Sequence, residues 1–401
     1  MSVKPKFGFS LLAIAVLFVA QGSEAFGQGI FVSGVGPVNR SMGGAGTAAP
    51  LDAIGALNWN PGSISGLCCN ELSFGIELLN ADIELTSNLG PGTKGDAGFA
   101  AIPSIGWVHH MEDSPLTIGL GLAAVAGFKN NQPAGNVLTA GEPFFAKAEF
   151  LQIAPTLSYA LSDTISVGIA PTVTIAELGL DPLGPSVVTP SAAPGQGNRS
   201  HWGGGFQAGV YYSGKNNVQL GFTFKSPQWM ETFESFTSPN AVPAVPGNVV
   251  PLDLDLPMIL SAGVGYTGIC DWRFAADVRY FAYKETDGFS RFGWDNIFAV
   301  ALGAQRRVTD SLSVRMGVNF NEQPIRGNAI AVNAATPLIQ RYNVSAGGTY
   351  RFTDHVAFNL AYVYLGETSV TGPVPGLVPP GSTLTNEISA HSAVAGITVR
   401  Y

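Results

Sequence analysis

The sequence predicts an all-β fold, a 14-stranded antiparallel transmembrane β-barrel plugged by an N-terminal hatch of short helices and irregular chain. Three observations lead there. Charged residues make up only 12% and glycines number 50 of 401, with a mean hydropathy of +0.23, too apolar for an ordinary soluble chain and too glycine-rich for a helical membrane protein. From Glu71 onward large apolar residues alternate with small or polar ones, the period of strands whose two faces meet different media. Short turns bearing Asp, Asn or Gly are interspersed with long connections, the asymmetry of outer-membrane barrels.

Taken from the N-terminus, residues 1–25 read as a secretory signal: Lys4 and Lys6 precede the apolar run Phe7–Ala20, and Ser23-Glu24-Ala25 supplies a cleavage site, with Gly27 the second choice. Residues 26–69 are the predicted hatch. Within it, the stretch from Gln28 to Leu67 has nine glycines, three prolines, one Asp and no Lys or Glu. It is too broken to build a core of its own and too apolar to lie free, so it requires walls. Asp52, Trp59, Asn60 and Pro61 are its marked positions, with Asn60 and Pro61 expected inside the barrel and the chain entering the wall soon after Cys69.

Residues 70–401 supply the walls. Leu116, Ile118, Leu120 and Leu122 alternate with Thr117, Gly119, Gly121 and Ala123; Val218, Leu220, Phe222 and Phe224 with Gln219, Gly221, Thr223 and Lys225; and Leu312 to Phe320 with Ser313, Arg315, Gly317 and Asn319. The large apolar face suits lipid and the small or polar face a wet interior. Trp107, Tyr159, Trp202, Tyr211, Tyr212, Tyr266, Trp294 and Tyr350 fall near strand ends, where interfacial girdles are expected.

Six short turns, near 112–114, 162–164, 213–216, 268–271, 309–311 and 353–355, and seven long connections, near 81–98, 127–144, 179–199, 227–252, 284–293, 322–339 and 366–385, require fourteen strands. With the short turns periplasmic, both ends of the barrel chain face the periplasm. The final alternation Ala393, Ala395, Ile397, Val399, Tyr401 ends on an aromatic, resembling the signal that the barrel assembly machinery reads. The expected setting is the bacterial outer membrane, embedded in its lipid, as a monomer.

Several classes are disfavoured. A net charge of -8 with scattered Lys and Arg gives no surface for nucleic acid. No cofactor and no metal are expected: His109 and His110 are successive strand residues pointing to opposite faces. Gly62-Ser63-Ile64-Ser65-Gly66 is not a nucleophile elbow, and no phosphate loop occurs, so no enzyme is expected. Cys68 and Cys69 are adjacent, leaving Cys270 as the ordinary partner for a disulfide, although the strand order sets them far apart around the wall.

In that frame the N-terminal stretch resembles the hatch of the FadL/TodX family, outer-membrane channels for long-chain fatty acids and aromatic hydrocarbons. The resemblance lies in Gly43-Gly44-Ala45-Gly46-Thr47-Ala48-Ala49, Asp52, Asn58-Trp59-Asn60-Pro61 and Gly66-Leu67, and further on in the segments from Trp202 to Gln228 and from Leu254 to Tyr266. Here Gly62-Ser63-Ile64 replaces the family's Ala-Gly-Leu. The resemblance implies capture of hydrophobic molecules, fatty acids or hydrocarbons, at extracellular loops, followed by passive passage through a hatch-gated barrel or out through a gap at a kinked third strand.

The residues suggest where. Trp229, Met230, Phe233 and Phe236 fit one face of a short helix in the loop after strand seven, and Leu180 and Leu183 add apolar surface nearby. These read as ligand capture, or as a lid whose residues cover one another. Arg273, Arg279, Arg315, Arg351 and Arg400 face the lumen by parity and could meet a carboxylate or pair with inward acids such as Asp277. Gly119 and Gly121 could permit the wall kink. The alternative is a general or structural porin-like barrel with no preference for hydrophobic ligands.

Overall fold

The computed structural model describes residues 28–136, 143–181, 195–196, 200–237, 249–374 and 380–401. Fourteen antiparallel strands close into a barrel: β1 Glu71–Ser87, β2 Gly90–His110, β3 Leu116–Gln132, β4 Phe144–Ala160, β5 Ile165–Asp181, β6 Ser200–Ser213, β7 Val218–Lys225, β8 Ile259–Tyr266, β9 Trp272–Phe281, β10 Ile297–Arg307, β11 Leu312–Asn321, β12 Tyr342–Arg351, β13 Val356–Pro373 and β14 Thr383–Arg400. Each pairs with its sequence neighbour, and β1 with β14 closes the ring, Glu71 opposite Arg400 through Ser87 opposite Leu384. Closure leaves no free sheet edge for lipid to meet.

Alternation sets the faces as the sequence implies. Phe74, Ile76, Leu78, Leu220, Phe222, Leu360 and Tyr362 all point outward and are exposed. Trp107 Nε1 donates to the Tyr401 hydroxyl at 2.7 Å, joining two aromatics at the short-turn end. Tyr211 and Trp294 depart from the expected girdle: both are buried, Tyr211 because its parity turns it inward and Trp294 because it packs in an extracellular cluster with Tyr283 and Phe289.

The first and last long connections are not loops for most of their predicted length. β1 and β2 pair up to Ser87 opposite Gly90, and β13 and β14 up to Pro373 opposite Thr383. Above the hydrocarbon both strand faces meet water, so the hydropathy alternation vanishes while pairing continues, supported by contacts such as Lys94 Nζ to Asp82 Oδ1 at 2.9 Å. The long connections after β3, β9 and β11 begin or end within a few residues of the prediction, and the strand count is unchanged.

Residues 28–70 fill the barrel. Helix α1 Gly36–Arg40, helix α2 Ala53–Trp59 and a 3₁₀ turn Pro61–Gly66 are joined by irregular chain. Asp52 caps α2, its side-chain Oδ1 accepting from Gly55 N at 3.2 Å. Asn60 then caps the 3₁₀ turn by accepting from Gly62 N at 3.0 Å and donates to Thr47 O and Val210 O. Asn60 and Pro61 are both buried inside the wall.

The glycine-rich inner face has a direct cause. A Cβ at Gly221 would lie 2.1 Å from Thr47 O, and one at Gly317 2.0 Å from Gly43 N. Plug backbone lies directly on wall backbone at these points, so no side chain fits.

Candidate functional site

The barrel wall is incomplete between β2 and β3. These strands pair only from Ser104 opposite Ala123 down to His110 opposite Thr117. Above that point β2 stays with β1 and β3 with β4, and the register of β3 slips between Ala124 and Ala126. Higher still the two strands are reconnected by side chains, Thr93 Oγ1 to Gln132 Oε1 at 3.0 Å and Asn131 Nδ2 to Asp96 O at 2.9 Å. A window remains, with Phe99 to Pro103 on one jamb and Val125 to Lys129 on the other. Because Ala101 and Pro103 lie opposite Leu78 and Ile76 of β1, both outward and exposed, the window faces acyl chains.

Chain from the plug takes the free edge of β3. Val32 N donates to Val125 O at 3.1 Å, Gly127 N to Ile30 O at 3.0 Å, and Phe31 bridges Ala126. Residues 28–30 are held in turn by Tyr283, whose hydroxyl donates to Gln28 O at 2.6 Å and accepts from Ile30 N at 3.2 Å. Burial pushes the Tyr283 phenol up from its ordinary range, so it stays protonated and able to donate.

Behind this segment lies a cavity of about 450 Å³, within the range of small-molecule sites. Ile83, Ala126, Phe128 and Phe150 supply apolar lining, while Leu151, Ile175 and Glu177 belong to the outward face of β4 and β5. The cavity therefore reaches from the barrel interior to its outer surface. Lys147 Nζ stands near that mouth, 2.9 Å from Glu149 and 3.4 Å from Glu177. On the inner floor the Arg40 guanidinium of α1 is paired with Glu77 and donates to Ser33 Oγ, and Ser392 donates to the same Glu77 at 2.6 Å.

A second polar centre fixes the plug lower down. Asp277 Oδ2 accepts from Gly46 N, Thr47 N and Thr47 Oγ1 at 2.8 to 3.0 Å. Arg279, 2.8 Å from the same carboxylate, donates to Ser33 O and Gly44 O and lies 3.4 Å over the Trp59 ring. Gly43 and Gly44 have φ of +65 and +86, the left-handed turns that aim these amides and carbonyls at the wall. Near the short-turn end, burial, reinforced by Glu71, pushes Asp52 up to about 7, with Arg315 and Arg400 opposing.

Comparison with known proteins agrees with this architecture. Residues 16–401 match the family described as outer membrane protein transport protein (OMPP1/FadL/TodX). The chain belongs to this family. Over 449 residues it is 26% identical to the 47 kDa outer membrane protein of Pasteurella multocida, covering all of both chains. It is 22% identical to the long-chain fatty acid transport protein of Escherichia coli K12, over 92% of this chain and 94% of that one. Among solved structures it resembles the Pseudomonas putida toluene transporter TodX (TM-score 0.73, 18% identity, 92% and 99% covered) and a Pseudomonas aeruginosa FadL homologue (0.72, 16%, 93% and 99%).

Within this FadL/TodX-type barrel the residues singled out from sequence are dispersed. Trp229-Met230 and Phe233–Thr237 are short strands and not a helix; Met230 and Trp229 pair with Gly203 and Gly204, prolonging the line of β7 along β6. Spacings of four satisfy a two-residue period as well as a helical one, and wall pairing decided between them. Trp229 is exposed on the outer face, whereas Phe233 is buried against His201 and Phe150, its ring 6.4 Å from the latter. Phe236 pairs with Val249 and Gln196 through its backbone. Leu180 ends β5 half-buried, and Leu183 lies outside the described residues.

Among the lumen arginines, Arg279 holds the plug, Arg315 donates to Gln305 at 2.7 Å, Arg400 pairs with Glu71 at 3.0 Å, and Arg273 and Arg351 are exposed at the short-turn end. None lines the cavity. Gly119 and Gly121 do not form the kink: both sit in regular pairing and make room for Leu57 of α2, while the slip lies at Ala124/Ala126. Cys68, Cys69 and Cys270 form no disulfide. Arg40, Tyr283 and the segment 30–32 carried no motif that marked them. The one visible signal was the loss of strict alternation after Leu122.

Proposed function

We propose that this protein is a passive outer-membrane channel for hydrophobic molecules, such as fatty acids or hydrocarbons, which enter from the extracellular loops, occupy the cavity and leave sideways through the window into the membrane. The observation that supports this reading is the continuity of one largely apolar cavity with a wall gap at acyl-chain level, covered by a segment held through a few hydrogen bonds. Transfer of each methylene out of water contributes about 0.8 kcal/mol, so affinity needs no energy source. Residues 28–32 then act as the movable cover, and the rest of the hatch as a fixed plug. Phe233, packed on the cavity-lining Phe150, belongs to the entry side; Trp229, exposed, is the loop-edge capture residue.

The test is a reversible lock. Phe31 and Ala126 form a non-hydrogen-bonded antiparallel pair, for which Cα atoms lie about 4.5 Å apart, within disulfide range. Phe31→Cys with Ala126→Cys, in a chain whose native cysteines are serine, is expected to stop uptake of a lipophilic probe when oxidised and restore it on reduction. Undiminished uptake by the oxidised protein would sink the lateral route. A large steady single-channel conductance of the intact protein would favour the porin-like alternative instead.

A further inference from the structure

We propose that the cavity selects amphiphiles with an uncharged, hydrogen-bond-donating polar end, such as a primary alcohol, over both bare hydrocarbons and carboxylates. This rests on the reading that the cavity binds hydrophobic molecules and concerns which of them fit.

The lining is not uniformly apolar. Asn321 at the end of β11, Asn343 at the start of β12, Gln340 just before it and Gln28 of the plug all contribute to it. Asn321, Asn343 and Gln28 are at most 5% exposed. The Oδ1 atoms of Asn321 and Asn343, Nε2 of Gln340, and both side-chain polar atoms of Gln28 have no hydrogen-bond partner among the described residues. Buried polar atoms are ordinarily paired, and a site with unpaired amides discriminates strongly between a ligand that pairs them and one that does not. The orphaned oxygens accept, whereas the orphaned Nε2 groups of Gln28 and Gln340 donate, so the complementary group is one that donates and accepts without carrying a charge: a hydroxyl, or a neutral amide.

Charge disfavours an ionised head. The lining holds two cations, Arg40 and Lys129. Arg40 is already paired with Glu77 and bonded to Ser33. Lys129 sits on β3 opposite Lys147, near the mouth with Glu149 and Glu177 and away from the inner amides. A carboxylate at the amides would lose its hydration and gain there only the neutral Nε2 donors of Gln28 and Gln340, with no cation of the lining beside them to balance its charge. A hydroxyl there loses little and pairs an orphaned oxygen.

The experiment uses the full mature chain in lipid nanodiscs, with binding of decane, decan-1-ol and ionised decanoate measured above that of empty discs. Decan-1-ol is expected to bind about tenfold tighter than decane once partition into lipid is subtracted, with decanoate weakest. Asn321→Leu with Asn343→Leu should bring alcohol and alkane within about twofold while leaving decane binding unchanged. Gln340→Met, at a half-buried position, is the milder second variant and should narrow the preference by a smaller step. Equal binding of alcohol and alkane to the unmodified protein overturns the proposal, as does a preference that survives the amide substitutions, since the amides would then hold water only. If none of the three exceeds empty discs, the cavity reading falls with it; if all three bind without preference, only the selectivity falls.

Discussion

Replacing Tyr283 by Phe isolates the cover of the window from the rest of the plug. The substitution keeps the ring against Phe289 and Trp294, at centroid distances of 5.1 and 5.0 Å, and removes one oxygen. That oxygen serves Gln28 O and Ile30 N, both on buried residues, so two backbone groups are left unpaired. The loss is about 1–3 kcal/mol, or roughly a 5- to 150-fold rise in the displaced population of residues 28–32. Ala126, buried beneath that segment, reports it: with Cys68, Cys69 and Cys270 changed to Ser, Ala126→Cys should react with a membrane-permeant thiol reagent faster by that factor when Tyr283→Phe is added. Reaction rate follows the open population as long as closure outpaces labelling. An unchanged rate would refute the claim that Tyr283 latches the cover.

Three further predictions concern the plug. Asp277→Ala leaves Arg279 buried beside the plug without its carboxylate and frees three donors of Gly46 and Thr47; a destabilisation of about 3–5 kcal/mol is expected, seen as frequent large conductance steps in a planar bilayer from a barrel that still migrates as folded. Gly221→Ala and Gly317→Ala each drive a Cβ into plug backbone and should loosen it by about 1–3 kcal/mol, read as increased protease cleavage within residues 36–66. Asp52, held up at about 7, keeps its proton in the folded plug where an unfolded chain would release it. Hatch stability should therefore be greatest below the ordinary carboxylate range, fall as pH rises toward 7 and level off above it; hydrogen exchange at Ala56 and Leu57 should follow that slope, and Asp52→Asn, which preserves the cap, should flatten it.

Within the hydrocarbon the strands were legible residue by residue, since lipid outside and plug inside impose opposite demands on alternate positions, as at Leu120 and Gly121. Outside it the same reading fails for a physical reason. Asp82, Glu84 and Lys94 lie on paired strands standing in water, where neither face needs to be apolar, so they passed for loop. Arg279 and Arg315 are buried, whereas Arg273 and Arg351 are exposed. What Arg279 and Arg315 bond to was not readable, because Gly44, Ser33, Gln305 and Trp59 come in from other segments of the chain. The cavity was invisible for the same reason. Its walls come from six or more strands and the plug, and no local spacing records that they converge.

The distribution of polar contacts along residues 28–70 bears on which part moves. From α1 to the 3₁₀ turn, the plug is joined to the wall by the Arg40–Glu77 pair, the Asp277–Arg279 centre, Glu71 accepting from Ala53 N at 2.7 Å, and Gln207 donating to Leu57 O at 2.8 Å. Displacing that body would split the buried Arg40–Glu77 pair, at a cost of several kcal/mol, and would take from Asp277 the three donors of Gly46 and Thr47 and from Arg279 the carbonyls of Ser33 and Gly44. Residues 28–32 carry no charge, and among the described residues they are held by two backbone bonds to β3 and two bonds to Tyr283, each about 0.5–1.5 kcal/mol net. A hydrophobic molecule of ten carbons brings about 8 kcal/mol of transfer free energy, enough to exchange for those four bonds and too little to split the Arg40–Glu77 pair and strip the Asp277–Arg279 centre of its plug partners as well. The energetic asymmetry thus favours a fixed plug with a movable edge, and it places the movable edge at the window that faces the lipid.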